Sequence, residues 1–389
     1  MRRLLHLAGF LLAVAPATGV AAGQESVPKP YHDPRQVALT YNGPGRDDPD
    51  PTGLSEIRIG YFGPADASHP DGGQLWAGAS LAIEEANRQG GYRGLPFRLI
   101  PAWSENPWAG GVADLARITY DQKVWAIIGG IDGGTTHLAE QVVAKAQLTL
   151  INPAATDRSI HTAGVPWMFS CVPGDGVLAE AIGRELRQRA KSFSVISATD
   201  HDSRAFEAQI ESVLAREHLV PLLHAEWTGG SEGPARIARE VAGSAPEVIV
   251  VIAPTRDSVH LIDAIRNTGF AGDVLTDARV ARAPYESSMG RVMYPVLGDI
   301  SSAFRERFRV RWGRDPDYTA AHAYDAASII VAAVRGAGLN RPRIRDAVRA
   351  LSPIHGVTGT IELDAQGQNR TEVSLHVLSV TRDVPAARR

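Results

Sequence analysis

Short apolar runs alternate along most of this chain with segments whose apolar residues recur every three or four positions. IRIGYF (57–62) alternates like a strand, and Leu75, Ala79, Ala82, Ile83 and Ala86 then share one helical face. FRLIPAW follows as a strand, then a helix over 109–121, the strand VWAII (124–128), a helix over 136–146 and the strand LTLI (148–151). Strands spaced by helices of this length predict parallel βαβ units with right-handed crossovers. The alternation pauses at PWMFSCVPGDG (166–176) and resumes with FSVIS, LVPLLHAEW, EVIVVIA and DVLT as strands of a second parallel sheet. After Tyr294 come three helical segments, around 301–312, 319–337 and 343–350, and two closing strands at 357–363 and 373–380. Neither sheet is complete without elements from this last block. The predicted fold is therefore α/β with two lobes, one taking 55–171 plus 296–354 and the other 172–295 plus 355–383.

The first residues follow a different pattern. Arg2 and Arg3 precede an apolar stretch at 4–14, and small residues follow as A-x-A (15–17) and V-A-A (20–22). This is the pattern of a cleaved secretory signal peptide over 1–22, too short to span a membrane. No Cys stands near the cleavage region, which excludes a bacterial lipid anchor there. Residues 23–54, with GPGRDDPDPTG, have no apolar period and predict an extended N-terminal arm. No other long apolar segment occurs, so the mature protein is expected in the periplasm, soluble and without stable membrane insertion.

A chain of 389 residues exceeds one ordinary core, which fits two lobes. The net charge of −3 becomes −5 once the leader takes away its two arginines, so no basic field exists to recruit nucleic acid. The single Cys171 excludes an internal disulfide framework and a Cys-rich metal site, and reads as a buried, inert thiol.

Open α/β sheets bind ligands outside the carboxyl ends of their strands. Two donor-rich turns fall there, GGIDGGTT (129–136) after one strand and NPAATD (152–157) after the next. Gly133 and Gly134 expose backbone N–H groups at a helix N-terminus, and Thr135 and Thr136 add hydroxyls, a setting for a carboxylate. Thr156, after Ala154 and Ala155, supplies a further hydroxyl with carbonyls beside it for a cation. The competing explanation for each turn is plain helix capping. Asp200-His201-Asp202 reads as a solvated turn, because three successive residues rarely point at one ion. Phe62, Trp103 and Trp108 stand near strand ends, with core packing as their default role and ligand stacking as the alternative. No G-x-S-x-G, H-E-x-x-H or P-loop lysine occurs, and the Gly-rich turn lacks the G-x-G-x-x-G spacing of a dinucleotide site.

At IRIGYFGP, GGQLWAGASLAIEEANRQGGYRGLPFRLI, IIGGIDGGTTHLAEQVVAKAQLTLINPAATD, RWGRDPDYTAAHAYDAASIIVAAVRGAG and GVTGTIELDAQGQ the chain resembles type I periplasmic binding proteins, in particular their leucine/isoleucine/valine-binding branch. The resemblance runs from about Ile57 to Val380. It implies two Rossmann-like lobes joined by a three-crossing hinge, closing over a small-molecule ligand such as an amino acid and handing it to the membrane permease of an ABC importer. It implies no enzyme activity and no cofactor, and the protein is expected to be a monomer. The resemblance places Thr135, with Thr136 beside it, on the ligand carboxylate. Ala154, Ala155 and Thr156 fall where the family holds carboxylate and ammonium. Asp277 falls where an acidic partner for the ammonium is expected. Ser203 and Arg204 replace a Tyr-Gly pair common in the family, Arg279 near Asp277 can turn that face toward an anion, and His69 and Asp71 stand where an aromatic occurs. Specificity for branched aliphatic side chains is therefore not implied. The alternative function is a periplasmic sensor of an amide, urea or metabolite, using the same closure to address a signalling partner, with a periplasmic enzyme third.

Overall fold

The computed structural model describes residues 40–229, 233–284 and 286–378. The expected signal peptide and the first part of the expected arm lie outside the described residues.

The first lobe is built from β1 (Ile57–Phe62), α1 (Gly73–Arg88), β2 (Phe97–Ala102), α2 (Pro107–Tyr120), β3 (Ala126–Gly129), α3 (Gly133–Ala146), β4 (Thr149–Asn152), α4 (Ser159–Thr162) and β5 (Met168–Ser170). Its five strands are all parallel, in the order β2-β1-β3-β4-β5. The chain then crosses to α5 (Asp175–Arg189), β6 (Phe193–Ala198), α6 (His201–Arg216), β7 (His224–Trp227), α7 (Gly233–Gly243), β8 (Val248–Ile252), α8 (Thr255–Asn267), β9 (Asp273–Thr276) and β10 (Val292–Pro295). It returns through α9 (Ser302–Trp312), α10 (Tyr318–Ala337), α11 (Arg341–Ala350) and a hairpin of β11 (Ile354–Gly356) and β12 (Gly359–Ile361), and ends on β13 (Leu375–Val377). The second sheet runs β13-β10-β9-β8-β6-β7, parallel except for β13.

The strands read as apolar runs because both sheet faces are covered: β3, β4, β6 and β8 are buried along their whole length. In the first lobe α1 packs closely on alanine-rich α10. A Cβ at Gly78 would lie 1.9 Å from the Ala320 carbonyl oxygen, so only glycine lets these helix backbones meet. Cys171 is buried in the same core, and burial pushes its thiol up.

Four expectations are corrected. The pause at 166–176 contains β5, a three-residue edge strand too short to show a period. β10 completes the second sheet where no strand was expected. The single strand expected at 357–363 is a hairpin, which turns just before Gly359 (φ +100°). Its Ile361 is buried in the first lobe's core, so the return to the second lobe falls beyond residue 361 rather than at 355.

Three segments link the lobes, 171–174, 296–301 and 362–374, and they run side by side. Asn369 donates its side-chain amide to the Cys171 carbonyl (2.6 Å), and Val296 N–H donates to the Ser374 carbonyl (3.0 Å). The Asp325 carboxylate accepts from the N–H groups of Val357 (2.7 Å) and Thr358 (3.1 Å) and from the Thr358 hydroxyl (2.6 Å). The described part of the arm is docked on the first lobe. Tyr41 packs on Trp167, and the Asn340 side chain donates to the carbonyls of Gly45, Arg46 and Asp48.

Two buried histidines set an acid limit on this frame. Burial lowers His161 and His322 from the usual 6.5 to about 4, only partly opposed by hydrogen bonds to the carbonyls of Gln366 and Leu297. The unfolded chain takes up protons that the folded chain refuses, so their contribution is complete above pH 6.5 and fades as pH falls toward 4. Each histidine should remove on the order of 3 kcal/mol over that window. Urea unfolding across it should show this loss, and His322→Gln should make the acid slope shallower. An unchanged slope would mean that His322 is protonated in the folded protein.

Candidate functional site

A cleft of ≈ 1330 Å³ opens between the lobes at the carboxyl ends of both sets of parallel strands. The first lobe contributes the β1–α1 loop (Ser68 to Gln74), Ile131 and Asp132 before α3, and Ala154 and Thr156 after β4. The second contributes Asp200, Asp202 and Phe206 of the β6–α6 region, Thr255 and Arg256 at the start of α8, and the segment from Asp277 to Arg282 after β9.

Of the residues expected at the ligand, Ala154, Thr156 and Asp277 line the cleft, whereas Thr135, Thr136, Ala155 and Ser203 are buried behind it. Asp132 is the N-cap of α3, and its carboxylate accepts from Thr135 N–H (2.7 Å) and the Thr135 hydroxyl (2.6 Å). The Thr135 oxygen accepts in return from the N–H groups of Ile131 (3.0 Å) and Asp132 (3.2 Å). The Thr136 hydroxyl donates to the Asp132 carbonyl (2.7 Å) and accepts from Gly130 N–H (3.2 Å). The Thr135 hydroxyl is thus engaged in a reciprocal capping box with Asp132, and the Thr136 hydroxyl in backbone hydrogen bonds of the same turn.

After β4 the turn is shaped by a residue that sequence reasoning missed. Asn152 is fully buried, its side-chain oxygen accepting from the N–H groups of Ala154 (3.0 Å) and Ala155 (2.8 Å) and its amide donating to the Ala155 carbonyl (2.7 Å). Thr156 hydrogen-bonds the Asp175 carboxyl, which burial pushes well above the carboxylate range despite that bond.

Across the cleft, Asp277 does not stand free for an ammonium group. Its carboxylate accepts from Arg279 N–H (2.8 Å), Nε (3.1 Å) and Nη2 (2.8 Å). Arg279 also reaches Asp200 (3.3 Å) and the Ser203 hydroxyl (2.8 Å). Burial works against the charge on Arg279, but Asp277, Asp200 and Asp202 outweigh it and raise its pKa.

The segment 200–202 is not a solvated turn; it joins the lobes. The Asp202 carboxylate accepts the Gly133 N–H at the start of α3 (3.0 Å), the position expected for a ligand anion. A Cβ at Gly133 would lie 2.5 Å from Asp202 Oδ1 and 2.8 Å from Asp157 Oδ2, so glycine is what admits the carboxylate. Burial raises Asp202 to about 6, with Asp132 and Asp157 adding to the shift and Arg279 opposing it. His201 Nε2 meets Asp157 Oδ2 (2.8 Å), and His137 Nε2 lies 3.5 Å from the same oxygen. His137 is pushed up to about 9, by Asp157 first and Glu140 next. Asp157 is held down by His137, Ser159 and His201 against the effect of its own burial. At the opposite rim Arg282 donates to the carbonyls of Pro70 (3.0 Å) and Asp71 (2.9 Å) and pairs with Asp317 (3.1 Å). Both rims are latched.

The three aromatics near strand ends, whose default role is core packing, do not line the cleft. Phe62 and Trp103 pack on each other, and Trp108 is 69% exposed outside it. The aromatic lining is Phe206, Tyr294 and Tyr318 instead, from helices and a strand whose apolar pattern marks them only as core. Among the described residues no helix is long and apolar enough to cross a membrane.

Residues 56–383 match the family described as periplasmic binding protein. An amino acid binding protein of Pseudomonas aeruginosa is 24% identical over 328 residues, 81% of this chain and 87% of that protein. Among solved structures, a Streptococcus pneumoniae branched-chain amino acid transporter substrate-binding protein in complex with isoleucine aligns with a TM-score of 0.70 at 20% identity, covering 83% of this chain and 99% of that one. An ABC transporter substrate-binding protein of Desulfitobacterium hafniense complexed with leucine aligns at 0.73 with 21% identity, covering 84% and 98%. A solute-binding protein of R. palustris in complex with benzoate aligns at 0.71 with 14% identity, covering 84% and 94%.

The geometry of α3 assigns Thr135 to stability. Thr135→Ala should cost about 1 kcal/mol, the usual size of a lost helix cap, and lower the melting temperature of the free protein. An unaltered melting temperature would show that the capping box contributes nothing.

Proposed function

The chain belongs to the periplasmic binding protein family, a family of binding proteins rather than enzymes, and on that premise we propose that it is the solute receptor of an ABC importer. It takes an amino acid or similar small polar molecule into the interlobe cleft, closes about its three linking segments, and presents the closed form to a membrane permease. The observation that carries this reading is the cleft itself: strand ends of two parallel sheets face each other across ≈ 1330 Å³, with latches at both rims. Ligand-dependent closure follows from contacts made to both lobes at once, which favour the closed population. Ala154 and Thr156 on one wall and the Asp277–Arg279 pair on the other are the proposed ligand contacts. The amino acid, leucine and isoleucine binding of the relatives supports the ligand class. The benzoate complex supports a broader range of small carboxylates. The cleft volume exceeds the roughly 300–1,000 Å³ of a typical small-molecule pocket, so a side chain larger than leucine is also accommodated.

A thermal-shift screen of amino acids and small organic acids on the mature protein should yield a stabilising ligand. A hydrogen bond to a charged ligand group contributes roughly 1.5–3 kcal/mol, so Thr156→Ala should weaken that ligand about 10- to 150-fold in calorimetry. Small-angle scattering at saturation should show a smaller radius of gyration. Tight binding with unchanged scattering would exclude closure, and an unaffected Thr156→Ala would remove that hydroxyl from the site.

We also propose export with cleavage of the leader at 1–22. Mass spectrometry of the periplasmic fraction should find a chain lacking its first ~17–22 residues, the window of small-residue cleavage sites. Recovery of the uncleaved chain from the cytoplasm would refute it.

A further inference from the structure

The latch beside the cleft holds two imidazoles and a carboxylate converging from both lobes. His137 lies on α3 and Asp157 follows β4, both in the first lobe; His201 opens α6 in the second. One ligand-type atom from each lies within 4.8 Å of the other two. Asp157 Oδ2 is the common point, 2.8 Å from His201 Nε2 and 3.5 Å from His137 Nε2. A tetrahedral ion with bonds of about 2.0–2.1 Å would hold such atoms about 3.3 Å apart. The two separations from Asp157 straddle that spacing and the third is within 4.8 Å, a gap within the reach of side-chain adjustment.

Each first-lobe group is oriented from behind. Glu140 Oε2 lies 2.8 Å from His137 Nδ1, which turns the opposite ring nitrogen toward the Ser159 hydroxyl (2.8 Å) and, behind it, Asp157 Oδ2 (3.5 Å). The other Glu140 oxygen is buried without a partner. Ser159 N–H donates to Asp157 Oδ1 (2.7 Å), while the Ser159 hydroxyl donates to Oδ2 (2.8 Å) and lies 2.8 Å from His137 Nε2, so an ion bound by Oδ2 and the two imidazoles takes the place of this hydroxyl bridge. A carboxylate behind a ligating histidine is the usual outer shell of a protein metal site. His201, with its side chain 51% exposed, leaves a route in from solvent.

We propose that His137, Asp157 and His201 form a site for a divalent first-row transition ion, zinc by preference, that clasps the two lobes. Two imidazole nitrogens and one carboxylate oxygen make a zinc-type donor set, with a fourth position left for water. Because the third ligand comes from the other lobe, the set is complete only when the lobes are closed. Zinc alone, without solute, therefore favours the closed arrangement. This goes beyond solute binding and does not require it.

Calorimetric titration of the mature protein with zinc chloride tests the assignment. It is run in a His224→Ala background, because Glu207, Glu211 and His224 form a second group of suitable atoms within the second lobe. One zinc per chain is expected, and cobalt(II) in its place should give the visible absorption of a tetrahedral site. His201→Ala changes a half-exposed residue and should fold. It should cut zinc affinity at least tenfold and abolish the zinc-induced fall in radius of gyration. Glu140→Gln should weaken binding about 10- to 100-fold, the usual cost of losing an outer-shell partner. No heat above dilution, undiminished binding in His201→Ala, or binding without compaction would each overturn the proposal. Since no solute is present, its failure would leave the solute-receptor reading intact, and an absent solute response would leave this one intact.

Discussion

The first turn of α3 has N–H groups that its own helix cannot satisfy, and the shape of the site follows from how they are met. Asp132 takes one of them from inside the first lobe, in exchange with Thr135. Asp202 takes another from outside it, through Gly133. The helix dipole favours a negative charge at this point, an effect of about 0.3–1 kcal/mol at a surface and up to ~2 kcal/mol when partly buried. Bringing Asp202 there buries a carboxylate next to Asp132 and Asp157, which is unfavourable unless positive charge is close. Arg279 provides it for Asp202 and His137 for Asp157, so one helix terminus accounts for most of the ionisable side chains around the latch.

The second lobe's contribution has the same logic. Arg279 is held by Asp277, Asp200 and the Ser203 hydroxyl, so a departure from the family's pattern at Ser203 is matched by a guanidinium that uses it. The pole expected to receive an ammonium group is already neutralised, and the N-terminus expected to receive a carboxylate already has one. A zwitterionic solute would have to compete with these internal pairs at both of its poles.

Much of the fold was legible because parallel strands buried on both faces read as apolar runs, and the helices between them carry a one-sided period. β5 escaped because it is three residues long inside a Pro- and Gly-containing stretch, and β10, as long as β3, β4 and β9, because no α-helix with a one-sided period separates it from β9. The positions of both turns at the mouth were also legible, since the strand-end rule needs only element order. The roles within them were not. Asp132 followed three residues later by Thr135 carries an N-cap signal that points to the capping assignment. Nothing local, however, tells that Asp202 will cross to Gly133, 69 residues away in sequence, or that His201 will reach Asp157. Such pairs arise from the juxtaposition of two separately folded sheets, and short-range pattern has no access to it.

The docked segment at the start of the described chain has a consequence for how motion is observed. Tyr41 is anchored on Trp167 and Asp346 of the first lobe, whereas Leu378, at the other end, donates its N–H to the Val292 carbonyl on β10 of the second sheet. The two ends of the described chain therefore ride on different bodies. A pair of optical labels reads the angle between the lobes directly, provided the second is set away from 376–378, which line the cleft.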